Sequence, residues 1–211
     1  MPTNHCCLCG SPEHALLFPA HDHISGEDFQ VVQCKTCGLI FVNPQPPPDQ
    51  LGRYYPAVHQ ISEPAAYERL DARPRVRAVS QLLKGQSGRV LDVGCGKGLF
   101  LAGLRDQGWQ AVGVEMSEVS GKHARSLNLE VFSKPLEKCG FDQGSFDVVT
   151  LFHSLEHMPN PVQLLHHIHN LLRPGGYMVV EVPNAGSWYA RAFKGDWFHC
   201  DVPRHLFHFS Q

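Results

Sequence analysis

Apolar residues change their spacing twice along the 211-residue chain. In the first forty residues they come in short runs, "ALLF", "FQVVQC" and "LIFV", divided by turn residues, and such runs predict short strands. "NPQPPPDQLGRYYP" follows, and its prolines forbid a helix or a sheet interior, so residues 44–66 read as an ordered linker or strap. Tyr54 and Tyr55 within it either pin the strap to its neighbour or cover a ligand. From about Tyr67 the spacing becomes helical, with Val76, Val79, Leu82 and Leu83 of "RVRAVSQLL" on one face. Buried strands and amphipathic helices then alternate. "GRVLDVG" is a strand, "GLFLAGLRDQG" a helix ending at Gly108, "WQAVGVE" a strand and "SEVSGKHARSL" a helix capped by Ser117. "LEVF" and "FDVVTLF" are further strands. "NPVQLLHHIHNLL" is a helix that opens on Pro161, "RPGG" closes it, and "YMVVEVPN" is a fifth strand. This alternation predicts an α/β domain over 67–211 with a doubly wound, mainly parallel sheet, behind a small N-terminal module over 1–43.

Charge narrows the function. With 18 basic against 20 acidic residues the formal net charge is −2, which leaves no broad basic surface for a phosphate backbone. The run from Arg69 to Arg77 reads as a solvated helix face. No apolar run approaches the roughly 20 residues a membrane span needs, and "MPTNHCCLCG" lacks the pattern of a secretory signal. The expectation is a cytoplasmic protein acting on a small molecule, with neither nucleic acid nor membrane as partner.

Five of the eight cysteines fall in the first 37 residues. Cys6-x-x-Cys9-Gly and Cys34-x-x-Cys37-Gly repeat one pattern, with 24 residues between Cys9 and Cys34. Each C-x-x-C turn aims two thiolates at one centre, and two such turns complete a tetrahedral sulfur site suited to zinc. Cys6, Cys9, Cys34 and Cys37 are therefore the expected ligands of a structural Zn2+ in a zinc ribbon, closed to substrate. Cys7 is left over, because pairing it with Cys9 requires a strained spacing.

"VLDVGCGKG" lies where an open α/β sheet binds its ligand, after the first strand and before a helix. Its glycines, Gly94, Gly96 and Gly98, are spaced G-x-G-x-G. That spacing misses the dinucleotide fingerprint, and Lys97 lacks the Ser or Thr of a phosphate loop. Asp92 repels a pyrophosphate but attracts an ammonium or sulfonium group. Glu115, 23 residues further on at the end of the next strand, suits a pair of ribose hydroxyls. A cationic, ribose-bearing molecule with its own carboxylate fits this set: S-adenosylmethionine.

These segments, with "SFDVV", "SLEHMPNP" and "LLRPGG", resemble in order the motifs of class I S-adenosylmethionine-dependent methyltransferases over residues 70–184. The cysteine pairs and "DVPRHLFHFS" resemble a bacterial branch of small-molecule methyltransferases that includes sugar C-methyltransferases. The resemblance implies that Asp92, Gly94, Gly96 and Gly98 lie along the methionine part and that Glu115 binds ribose. It further implies that Met116 and Leu136 flank the adenine and that Phe152 closes the pocket. Family members usually add two more strands after the fifth. Here the chain stops at "HFSQ", with Ser210 placed like the cap of a following helix. The expectation is a C-terminally incomplete domain, or an exposed sheet edge that invites a second copy to pair as a homodimer.

Transfer to a hydroxyl calls for a base. "FHSLEHMPN" offers His157 as first choice and His153 as second, although a Leu-Glu-His turn in this place can equally be structural. His166, His167 and His169 fall on exposed helix flanks, whereas Trp197, His199, Arg204 and His205 follow the fifth strand, where an acceptor pocket belongs. The motifs of exocyclic-amine and cytosine-C5 methylases are missing. Two rivals to a small-molecule enzyme are an rRNA or tRNA methyltransferase and a non-catalytic zinc-dependent interaction module.

Overall fold

The computed structural model describes residues 5–55 and 65–211. Residues 56–64 of the strap and the side chains of residues 65–71, Arg69 among them, lie outside the described residues. The chain divides into two compact units. One is formed by residues 1–57, 155–164 and 182–211, and the other by 58–154 and 165–181.

The first unit is built on an antiparallel sheet. Strand β1 (His14–His21) pairs with β2 (Asp28–Cys34), and β2 with β3 (Ile40–Val42). The fourth strand comes from the far end of the sequence: β9 (Phe207–His208) pairs with β3, setting Ile40 against His208 and Phe41 against Phe207. The residues after the second unit's last strand thus do not extend the parallel sheet. They close the N-terminal one, because Leu206 and Phe207 bury their side chains against Val32 and Phe41. Helix α5 (Trp188–Phe193), opened by Ser187 accepting from Ala190 N, belongs to this unit. Arg204 is its polar anchor. The buried guanidinium donates to Asp22 Oδ1 at 2.9 Å, to Asp201 Oδ1 at 2.7 Å and to the Tyr54 carbonyl at 3.1 Å. Burial works against the ionised form of Asp22, but Arg204, Ser25 and two backbone N–H groups outweigh it and hold the carboxyl far below its ordinary range.

The second unit is the predicted α/β domain. Helix α1 (Ala65–Leu82) precedes β4 (Arg89–Val93), α2 (Leu99–Arg105), β5 (Gln110–Val114), α3 (Glu118–Ser126), β6 (Glu130–Phe132) and β7 (Phe146–Phe152). Helix α4 (Pro161–Leu171) and β8 (Leu172–Glu181) complete the series, and the parallel sheet has the order β6-β5-β4-β7-β8. Strand order reverses beside β4, so the end of β4 is the switch point where such sheets bind ligands. Val76 and Val79 of α1 pack with Val90, Phe100, Leu101, Leu104 and Val148 in the core.

One predicted boundary moves. "RPGG" does not close α4 from outside the sheet; it sits within β8 as a bulge between the pairs Phe146–Leu172 and Val148–Tyr177. Arg173 in that bulge pairs with Asp147, whose other oxygen accepts from Arg89 N at 2.7 Å, so two charge-assisted bonds fix the irregularity. Strand β8 ends the sheet order, with Tyr177, Met178 and Val180 exposed. No helix among the described residues is long and apolar enough to cross a membrane.

Candidate functional site

The loop after β4 lies on the end of β5: Gly94 N and Cys95 N both donate to the Val114 carbonyl, at 2.8 and 3.1 Å. Glu115 is the next residue. Its Oε2 accepts from Gly96 N at 2.8 Å and its Oε1 from Ser117 N at 2.7 Å. Each carboxylate oxygen keeps a second lone pair for an outside donor such as a hydroxyl. Gly98 and Gly96 have different reasons to be glycine. A Cβ on Gly98 falls 2.6 Å from Leu129 Cδ1 and 2.8 Å from Ala124 Cβ, whereas a Cβ on Gly96 meets nothing within 4 Å. Gly98 is thus required by helix–sheet packing, and Gly96 presents bare backbone to open space. Both have positive φ, 77° and 53°. Gly98→Ala is expected to cost about 3 kcal/mol of stability from strain plus overpacking. Gly96→Ala should cost only about 1 kcal/mol and instead weaken ligand binding. Denaturant midpoints and a binding titration on both variants separate the two.

Asp92 is enclosed at the end of β4, and Thr150, its register partner on β7, donates a hydroxyl to its Oδ1 at 2.7 Å. Burial pushes its carboxyl up to about 7, with Thr150 and Arg75 opposing and Glu115 adding to the rise. An acid so placed is poised to ionise when a cation arrives. Sequence reasoning missed Thr150; its only signal was its position on a strand that flanks β4.

The other expected cofactor contacts differ in exposure and setting. Met116 is exposed just beyond Glu115, and Leu136 is buried in a 3-10 turn over Leu136–Lys138. Phe152 packs edge-on against Phe100 under the Arg75 guanidinium. His153 follows with φ 51°, its Nε2 held 3.0 Å from Glu181 Oε1, a carboxylate that also takes a two-point contact from Arg75.

His157 belongs to the first unit, in a 3-10 turn over Leu155–His157. Its Nδ1 lies 2.9 Å from the Arg204 carbonyl oxygen and 3.1 Å from the Tyr55 hydroxyl. Tyr54 is buried with its hydroxyl donating to Glu27, so it too pins the strap. Trp197 and His199 line a cavity of about 560 Å3 with Tyr189, Phe193, Asp196 and Phe198. Arg204 and His205 do not line it: Arg204 is buried in its ion pairs, and His205, whose Nδ1 faces the His199 carbonyl, is buried against His157 and Glu156.

Cys6, Cys9, Cys34 and Cys37 converge, with their sulfurs all within 4.8 Å of one another. Two turns of the same build bring them there. Cys6 N donates to Ser11 O and Gly10 N to Cys6 O; Cys34 N donates to Leu39 O and Gly38 N to Cys34 O. Sulfur separations of 3.4 Å for Cys6–Cys37 and 3.5 Å for Cys9–Cys34 approach the ~3.8 Å edge of a tetrahedron with 2.3 Å metal–sulfur bonds. Backbone N–H groups of Cys37 and Thr36 draw the Cys34 thiol down to about 6. The donor set fits a metal ion.

A protein-family profile described as "Methyltransferase domain" matches residues 65–211. Ubiquinone biosynthesis O-methyltransferase of Alkalilimnicola ehrlichii is 36% identical over 118 residues, 52% of this chain and 48% of that protein. The enzyme of the same name from Coxiella burnetii is 33% identical over 116 residues, 52% of this chain and 50% of that one. The chain spans about half the length of these curated relatives. A solved S-adenosylmethionine-dependent methyltransferase from Archaeoglobus fulgidus superposes with a TM-score of 0.56 at 26% identity, over 67% of this chain and 63% of the other. With the loop, the paired acids and the parallel sheet in the matched region, the chain belongs to the class I S-adenosylmethionine-dependent methyltransferases.

Proposed function

We propose that the protein transfers a methyl group from S-adenosylmethionine to a hydroxyl oxygen of a small acceptor, a sugar or another hydroxylated metabolite. One observation carries the reading: two acids, Asp92 and Glu115, lie at the switch point close enough to feel one another's charge, and Glu115 accepts from the bare Gly96 backbone. Asp92 answers the cationic amino acid end of the cofactor and Glu115 its ribose. The cofactor supplies an activated methyl group; the chain's residues orient the partners, exclude water and handle the acceptor's proton. Hydroxyl acceptors are also what the names of the curated relatives indicate, since those proteins are O-methyltransferases. The aromatic-walled cavity between Tyr189 and Phe198 is of a size that suits a small acceptor. Zinc is the ion we assign to the four cysteines, in a structural role.

His157 is the proposed base. A carbonyl oxygen only accepts, so the Nδ1 facing Arg204 carries the hydrogen and Nε2 is the basic nitrogen. His153 is second, since its Nε2 is engaged by Glu181. Calorimetric titration should show binding of S-adenosylmethionine and its demethylated product, and no heat with either would overturn the reading. With an acceptor identified by labelled-methyl transfer to metabolite pools, His157→Gln should lower kcat at least about 100-fold. Full turnover in that variant removes His157 from the chemistry.

A further inference from the structure

We propose that Glu156, His157 and His205 form a second metal site, distinct from the four cysteines, for a divalent transition-metal ion such as zinc or ferrous iron. One ligand atom from each of the three lies within 4.8 Å of the others. All three belong to the first unit, and the Leu206 N–H, donating to the Glu156 carbonyl at 2.8 Å, ties the two segments that carry them.

Both imidazoles are oriented in the way metal-binding histidines are. His157 turns Nδ1 to the Arg204 carbonyl at 2.9 Å, and His205 turns Nδ1 to the His199 carbonyl at 2.8 Å. Each Nδ1 must donate to its carbonyl, so in the neutral rings each Nε2 carries a lone pair; a backbone carbonyl behind a ligating histidine is the usual outer-shell support. The rings meet edge to face with centroids 4.7 Å apart. His205 Nε2 stands 4.0 Å from Glu156 Oε1 and 3.9 Å from Asp201 Oδ2, and Asp201 Oδ1 is held by Arg204. Glu156 is 1% exposed and His205 8%. Two imidazole lone pairs and a buried carboxylate together make a donor set that a divalent cation can share.

The donor types select the ion. Two imidazoles and a carboxylate suit zinc, iron or cobalt better than magnesium or calcium, which prefer all-oxygen shells. Metal–ligand bonds of about 2.0–2.1 Å require the ligand atoms to draw in to roughly 3.3 Å from one another. Three protein ligands leave one position for water or for an oxygen of another molecule. In that case His157 acts as a ligand and the ion acidifies the bound oxygen; if no ion binds, the assignment of His157 as base stands unaffected.

The test is metal stoichiometry on the full chain, read with cobalt. Wild-type protein should take two equivalents, one with thiolate-to-cobalt charge-transfer bands and one with ligand-field bands alone. His205→Ala and Glu156→Gln should each lose the second while keeping the thiolate spectrum, which shows that the unit is still folded. Affinity at the second site should fall at least about tenfold in each variant. Wild-type protein that binds cobalt only through thiolates overturns the proposal, and so does a second equivalent that persists in both variants.

Discussion

Asp92→Asn is expected to lose S-adenosylmethionine affinity at least about thirtyfold, roughly 2 kcal/mol, while melting no lower than wild type at pH 8. The side chain is enclosed and its Oδ1 accepts from Thr150 at 2.7 Å, a bond that an asparagine oxygen can keep. What disappears is the charge. The folded-state carboxyl titrates at about 7 against an ordinary 3.8, so between those values the folded protein holds a proton that the unfolded chain releases. Stability therefore falls as pH rises through that window, by about 4 kcal/mol in all. Asparagine removes this slope, so the variant's advantage should be absent near pH 4 and largest above pH 7. Binding runs the other way. A cationic ligand needs the ionised form, so wild-type affinity should rise from pH 6 to 8, with proton release on binding, and the variant's should stay flat. Calorimetry in two buffers of different ionisation enthalpy measures the released proton. A variant that binds as tightly as wild type would remove Asp92 from the cofactor site.

The parts of this site readable from sequence are those set by local spacing. Asp92, Gly94 and Glu115 sit within a residue of strand ends, Gly96 and Gly98 follow in the same short loop, and strands buried on both faces announce themselves as apolar runs. The two Cys-x-x-Cys turns are equally local, each closed by hydrogen bonds within six residues. What escaped reading depends on pairing across the chain. A two-residue strand at Phe207–His208 has no periodicity, and its partner Ile40–Phe41 is more than 160 residues away. The Asp22–Arg204 ion pair and the meeting of His205 with Glu156 have the same character. The resemblance to a Rossmann-like domain assigned everything after the strap to that one domain. The family profile runs through residue 211; within that span residues 182–211 pack with the first unit, because Leu206, Phe207, Cys200 and Val202 bury their side chains among Val31, Val32, Phe41 and Val42. The bulge in β8 was hidden for a simpler reason: Arg-Pro-Gly-Gly is a sound helix stop, and only the Asp147 contacts show that the chain re-enters the sheet there.

Stripping the ion from the four cysteines, or replacing Cys34 by Ser, should loosen the first unit as a whole and not merely the turns that carry the thiols. Cys6 and Cys34 are 2% and 1% exposed and pack in one cluster with Val32, Phe41, Leu206 and Phe207. A metal held by these thiols would tie β2 and β3 to the C-terminal strand through the same side chains that make the core. Two small clusters give this unit little apolar burial of its own, and small units of that kind rely on a staple. Closed zinc sites contribute folding free energy directly, up to about 10–16 kcal/mol for isolated fingers. The sheet here retains some packing without the ion, so a loss of about 3–5 kcal/mol and a fall in Tm of roughly 10–15 °C are expected. Amide exchange should accelerate at Val32, Phe41 and Phe207, and remain slow at Val90 and Val148 in the α/β unit, which carries none of the thiol ligands. A protein that gives up its metal to a chelator with unchanged exchange at Phe41 and Phe207 would show that the sheet stands without it.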